Sequence, residues 1–253
     1  MEILAPDDVR TEHDGTLVDG IRWFPRARPR RMLRIFRTRL DGVDQILKEI
    51  GRVKLVERYL APDFMATSTE CIVQYAKPSG PEIVLCGFQT YVPGEVFDPW
   101  TLLDAGELLP ALFAPLAAEI GRTAMTQKAW TASVRRQGER FIARVKRMVI
   151  EAGHIPDLAG AGNLIVTPSG GIILVDINNI SPIAFDTDVR LDEKGYPVGD
   201  KSVEALGLIE EKLTGRPLPP DDPVYHHFLT ARRRRRVKAL EDAFWEGSAS
   251  RLR

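Results

Sequence analysis

A chain of 253 residues and 28.3 kDa, 44% hydrophobic and 28% charged, holds enough apolar content for one large domain or two small lobes, which excludes disorder, a collagen-like repeat and a disulfide scaffold. Its 35 basic and 35 acidic residues balance, so no global field draws the chain toward nucleic acid. No stretch reaches the roughly 18 uninterrupted apolar residues of a spanning helix. The start, Met1-Glu2-Ile3-Leu4-Ala5-Pro6-Asp7-Asp8, lacks the basic-then-apolar layout of a signal peptide, so a cytoplasmic protein with no membrane span is expected. Cys71 and Cys86 stand outside any CxxC and away from a histidine pair; they read as small buried apolar residues, not as zinc ligands or a structural disulfide.

The neutral total hides a local imbalance. Residues 20 to 40 carry eight arginines (22, 26, 28, 30, 31, 34, 37 and 39) and no acid, and a second run spans Arg232 to Arg236. Such runs are most often solvated faces, and the second, followed by Lys238, Glu241 and Asp242, reads as one side of an exposed helix. Nucleic acid is not the expected partner.

From Gly15 to Phe36, Asp-Gly and Pro-Arg signals break the chain into short strands. Alternation puts Arg34 in a row with Met32 and Phe36, where a guanidinium either meets an anion or snorkels to the sheet edge. Asp41 to Leu60 reads as a helix with a stripe of Val43, Ile46, Ile50, Val53 and Leu60, stopped by Pro62; Glu49 flanks that stripe and Glu57 lies within it. Strands follow near Cys71 to Tyr75 and Ile83 to Thr90 around the turn Lys77-Pro78-Ser79-Gly80-Pro81. The expected fold class is α+β, with a small antiparallel sheet and one helix over residues 1–90. A linker, Tyr91-Val92-Pro93-Gly94-Glu95, then opens a mainly helical lobe over residues 91–253.

In that second part Glu95 to Trp100 reads as a helix start with a packing tryptophan, or as the edge of an acceptor pocket. The longest helix signal runs from Thr126 to Ala152, with Trp130, Val134, Phe141, Val145 and Met148 in a stripe and Gly153 at the stop. Next come the polar loop His154 to Asn163 and a hairpin, Leu164-Ile165-Val166 against Ile172-Ile173-Leu174-Val175 across the turn Thr167 to Gly171. With Val166 opposite Ile172, Asn163 falls opposite Val175, so Asn163 and Asp176 emerge at one open end with Asp157 in reach. Two carboxylates and an amide oxygen form a hard donor set suited to Mg²⁺ beside phosphates, or else they cap turns. His226 and His227 are adjacent and cannot grip one metal jointly on a helix.

The order of these elements resembles the protein-kinase-like superfamily, including its aminoglycoside-phosphotransferase-like branch of prokaryotic small kinases, over most of the chain. His154-Ile155-Pro156-Asp157 looks like the His-x-x-Asp or HRD catalytic loop, Asn163 like its metal-binding asparagine, and Val175-Asp176-Ile177-Asn178 like the strand end that carries the DFG aspartate. The resemblance implies a two-lobed fold that binds ATP and Mg²⁺. Asp157 would be the catalytic residue that orients or deprotonates an acceptor hydroxyl, and Asn163 and Asp176 the metal ligands. Arg34 falls where the phosphate-clamping strand lysine is expected and Glu49, 15 positions on, where its helix partner is expected. Phe88 to Gly94 looks like the adenine-binding hinge, which makes Gln89 and Tyr91 cofactor-contact candidates.

The chain also departs from the pattern. Asn163 follows Asp157 by six positions, one more than usual, arginine replaces lysine at 34, no GxGxxG precedes it, and DFG has become Asp176-Ile177-Asn178. The resemblance therefore implies an atypical phosphotransferase with an unknown acceptor. Its alternative is a pseudokinase that binds nucleotide or a partner without turnover, and behind both stands a basic adaptor for an anionic partner.

Overall fold

The computed structural model describes residues 1–24, 26–36, 42–78, 80–177 and 179–250. Arg37, Arg39, Asp41, Ser79 and Asn178, each used in the sequence analysis, lie outside the described residues. The fold is α+β, with small antiparallel sheets and seven helices among the described residues. None of these helices is long and apolar enough to cross a membrane. The chain divides into two compact units, Met1–Arg52 with Ala66–Val92, and Val53–Met65 with Pro93–Arg253.

The first unit contains β1 (Glu2–Ile3), α1 (Pro6–Asp14), β2 (Thr16–Val18), β3 (Ile21–Trp23), β4 (Arg31–Ile35), β5 (Ser68–Lys77) and β6 (Gly80–Thr90). Its main sheet is ordered β1-β4-β6-β5, antiparallel throughout, while β2 and β3 pair only with each other. The strands β5 and β6 run longer than their apolar patches suggested, because backbone pairing continues through Thr69 and Glu70 at one end and Ala76 at the other. Cys71 lies directly opposite Cys86 in this ladder, and both are free thiols. Cys86 is buried, which pushes its thiol pKa up, whereas Cys71 is half-buried; the sequence reading of two buried residues holds for one of them.

The helix α2 (Val43–Leu60) buries Ile46, Val53, Val56 and Leu60 and leaves Val43 exposed. In the second unit, α4 (Gln127–Ala152) has the expected bounds for visible reasons. The Thr126 hydroxyl accepts from the Ala129 amide at 3.2 Å and Gly153 turns left-handed at φ 60°. Its stripe of Trp130, Val134, Phe141, Val145 and Met148 is fully buried. The short strands β7 (Glu95–Val96), β9 (Leu164–Val166) and β10 (Ile172–Leu174) form one antiparallel sheet, and β8 (His154–Pro156) pairs with β11 (Ile180–Pro182) in another. The Trp130 indole donates to the Thr167 carbonyl at 3.1 Å, which fixes the β9–β10 turn on α4.

No helix begins at Glu95 to Trp100. That segment continues from β7 into a loop, and α3 (Ala105–Gly121) starts later behind a capping box of Asp104 and Glu107. The remaining helices are α5 (Val198–Thr214), α6 (Pro223–Phe228) and α7 (Ala231–Ser250). The arginine run on α7 is not a uniformly solvated face. Arg233 is 8% exposed and donates from Nε to Asp200 on α5 at 2.5 Å, with further bonds to the carbonyls of Asp186 and Asp188. Its neighbours Arg232, Arg234 and Arg235 stay exposed.

Candidate functional site

The second unit gathers polar side chains at one open end of the β9–β10 hairpin. The register pairs Val166 with Ile172, and the Val175 amide donates to the Asn163 carbonyl at 2.9 Å, so Asn163 lies across from the residue that precedes Asp176. Pairing of β8 with β11 brings Asn179 to Asp157: the Asp157 amide donates to the Asn179 carbonyl at 2.9 Å, and the Asn179 side chain donates to Asp157 Oδ2 at 3.2 Å. Two independent strand pairings thus fix the three residues.

Asp157 sits in a loop that bends around it. Its Oδ1 accepts from the amides of Ala159 and Gly160 at 2.9 and 3.2 Å, and its carbonyl accepts from Asn163 Nδ2 at 2.8 Å. Burial raises the Asp157 pKa above the ordinary aspartate value. The two amides and Asn179 pull it back, and the negative charge of Asp176 raises it further. Asp157 and Asp176 therefore feel one another, the electrostatic signature of carboxylates that share a site.

Asn163 is 7% exposed, and its amide nitrogen is committed to Asp157. Its carboxamide oxygen is the end left to serve as a ligand, next in the ladder to the Asp176 carboxylate. This donor set, one amide oxygen with one or two carboxylates, fits a hard oxygen-seeking ion such as Mg²⁺ that fills its shell with water and phosphate oxygens. Among the described residues no trio of His, Cys, Asp or Glu is placed to hold a metal, so a softer, fully caged ion is not what the site would select.

The extra residue between Asp157 and Asn163 is taken up by the glycines. Gly162 turns at φ 91°, and a Cβ built on Gly160 would lie 2.5 Å from Asn163 Nδ2. Gly160→Ala is expected to displace the Asn163 amide and cost about 1–3 kcal/mol as an overpacked site. Gly51→Ala, whose Cβ would meet open space on α2, is expected to be neutral or slightly stabilising. Urea denaturation of both variants checks the contrast; equal midpoints would show that the loop has slack at Gly160.

Three contacts that sequence reasoning missed hold this loop from behind. The Trp100 indole donates to the Ala159 carbonyl at 2.8 Å, and the Ser202 hydroxyl on α5 accepts from the Leu158 amide at 3.2 Å. Lys201 lies 4.3 Å above the Trp100 ring and pairs with Glu204 and Glu241 at 2.8 and 3.2 Å. Trp100 therefore belongs to the loop's support and not to a helix start. His154 bonds the Ala152 carbonyl at 2.8 Å, a brace at the end of α4. An open groove of about 850 Å³ runs along α4 beside Lys128, Arg135 and Arg136; a single helix lines it, and no residue of the Asp157 loop does.

In the first unit Arg34 does not meet Glu49. Its Nη2 donates to Ser68 Oγ at 2.7 Å and to Glu70 Oε1 at 3.3 Å, with Arg34 12% and Glu70 2% exposed, while Glu49 pairs with Arg52 at 2.6 Å. The cause is a gap in the sheet. Arg34 and Glu70 both lie opposite Gly87, from β4 and β5, and so share one face of it. A Cβ on Gly87 would come within 3.0 Å of Arg34 Nη2; the missing side chain lets the guanidinium cross to Glu70. Gln89 is buried on the central strand β6, and the Tyr91 amide donates to the Arg30 carbonyl at 3.2 Å just beyond its end.

No protein-family model matches the sequence, and no curated protein matches it. Among solved structures the ROP18 kinase domain in complex with AMP-PNP and sucrose is similar over 86% of this chain and 75% of that one, at 10% identity and a TM-score of 0.35. A likeness of that size carries no argument about what this chain does.

Proposed function

We propose that the chain is an atypical phosphotransferase of the protein-kinase-like, two-lobed type, using ATP and Mg²⁺ with Asp157 as the base. The observation that carries this reading is the Asn163 side chain: it donates its nitrogen to the Asp157 carbonyl and sits opposite Val175, which couples the base to the Asp176 strand end through one residue. Asp157 would accept the proton of the acceptor hydroxyl. Its raised pKa serves that role, since a base titrating nearer neutrality takes up a proton more readily. The Ala159 and Gly160 amides and the Asn179 side chain keep its carboxylate in one orientation. Asn163 and Asp176 would hold the ion, which supplies charge neutralisation to the phosphates when bound. In the first unit Arg34, Gln89 and Tyr91 remain the proposed nucleotide contacts; Glu49, whose role rested on pairing with Arg34, is withdrawn.

A second reading, nucleotide or partner binding without turnover, is favoured by one observation. The Arg34 guanidinium is committed to Ser68 and to the buried Glu70 inside its own sheet, and such a fork is less free to follow a moving phosphate than a lysine would be.

Calorimetric titration with ATP, with and without Mg²⁺, tests both readings. Wild type is expected to bind only with Mg²⁺, and Asp176→Ala is expected to bind at least tenfold more weakly, because the loss removes the site's charged ligand. Binding with no ATP hydrolysis selects the second reading. Absence of binding under every condition overturns both.

A further inference from the structure

The β2–β3 ribbon exposes what a soluble sheet normally covers. Leu17, Val18, Ile21, Trp23 and Phe24 are 64%, 49%, 58%, 58% and 63% exposed, five large apolar side chains within eight positions. Scattered apolar exposure is ordinary, but a contiguous cluster marks a contact surface. The register pairs Val18 with Ile21 and Thr16 with Trp23, which puts Val18, Ile21 and Trp23 on one face. The turn Asp19-Gly20 has positive φ at both positions, 50° and 77°, the conformation that lets a two-residue loop close a twisted hairpin.

A lone two-stranded hairpin is marginal in water, yet this one is anchored. Arg22 donates from Nη1 to the Asp14 carbonyl at 2.5 Å, and Gly15 at φ 70° lies so near that a Cβ there would be 2.6 Å from the Trp23 carbonyl. The apolar face is therefore held out by its base. Next to it Arg22, Arg26, Arg28, Arg30 and Arg31 are all exposed, with no acidic residue between positions 20 and 36.

We infer that this ribbon and its arginines form a peripheral docking surface for an anionic lipid bilayer. The two features together select that partner. Nucleic acid would satisfy the arginines but offers no apolar phase to Leu17, Val18 and Ile21. A second copy of the chain would cover the apolar face but would bring two arginine clusters together. An anionic bilayer presents a negative surface with hydrocarbon a few ångströms beneath it, and tryptophan and phenylalanine beside arginine settle at that boundary. The inference is independent of the phosphotransferase reading, since it uses none of that site's residues.

Sedimentation of the full chain with phosphatidylcholine vesicles containing about 30% phosphatidylglycerol, against pure phosphatidylcholine, tests it. Binding is expected to be at least tenfold stronger to the anionic vesicles and to fall with salt. Two variants divide the contributions: Ile21→Ser with Trp23→Ser, at unchanged charge, and Arg30→Glu with Arg31→Glu, at unchanged apolar surface. Each is expected to lose at least tenfold in affinity. Because a ribbon variant can misfold locally, Trp23→Phe provides a second measurement: brominated lipid should quench a fluorescence component in wild type that this variant lacks while still sedimenting. Equal sedimentation with neutral and anionic vesicles, unaltered binding in the serine variant, or capture by poly(U) without capture by vesicles overturns the inference.

Discussion

Asp157→Asn is expected to lower ATP hydrolysis, with water as the default acceptor, by about 10²–10⁴-fold while leaving Mg²⁺-dependent ATP affinity within about threefold of wild type. The substitution keeps an oxygen for the Ala159 and Gly160 amides, which now bond Oδ1 at 2.9 and 3.2 Å, so the loop and its Asn163 link have no reason to move. What it removes is the proton acceptor. The pH profile gives a second, signed readout. Burial, with the Asp176 charge adding to it, holds the Asp157 pKa above the ordinary aspartate range, so the proton leaves late and the wild-type rate should climb on a limb displaced upward from that range. The variant's residual rate should lack this limb. Linkage supplies a stability counterpart: a carboxyl whose folded pKa is raised contributes stability below the unfolded value, and that contribution is lost as pH rises through the folded one. Wild type should therefore lose stability relative to Asp157→Asn between pH 4 and neutrality. Turnover retained in the variant, measured by phosphate release, removes Asp157 from the role of base.

Patterns confined to one stretch of chain were legible before the structure. The α4 helix carried its own cap, stripe and stop, and the β9–β10 hairpin carried its turn residues and alternation, so the meeting of Asn163 with Val175 followed from register alone. Side-chain partners from distant segments were not. Arg34 was rightly expected to need an anion, but the carboxylate proved to be Glu70, chosen by a glycine on the strand between them; the helical residue Glu49 found Arg52 three positions away. A gap in a sheet leaves no periodic signal. Trp100 bonds a carbonyl 59 positions on, and Cys71 meets Cys86 only through the register of a hairpin whose length the apolar pattern underestimated. Arg233 was hidden because five identical residues in a row conceal which one faces inward.

That hidden residue carries the second large expectation. Asp200→Ala should destabilise the chain by about 3–5 kcal/mol, the cost of stranding a buried charge. Asp200 and Arg233 are 5% and 8% exposed and form a two-pronged pair, Nε to Oδ1 at 2.5 Å and Nη2 to Oδ2 at 3.3 Å. The guanidinium also bonds the carbonyls of Asp186 and Asp188 and lies 4.6 Å from the Phe228 ring centroid, so it cannot swing out to water without breaking those contacts as well. Arg232→Ala and Arg235→Ala, exposed on the same helix, should change stability by no more than about 0.5 kcal/mol. Asp200→Leu combined with Arg233→Met, which removes both charges and keeps the volume, should recover most of the loss, because the penalty comes from the uncompensated charge rather than from the missing bond. Urea denaturation of the four variants separates these outcomes, and a small effect in Asp200→Ala would mean that the carbonyls alone satisfy Arg233. The consequence extends to the Asp157 loop. Asp200 lies two positions before Ser202, whose hydroxyl takes the Leu158 amide, so loosening the first turn of α5 should also raise hydrogen exchange at Leu158, ahead of global unfolding.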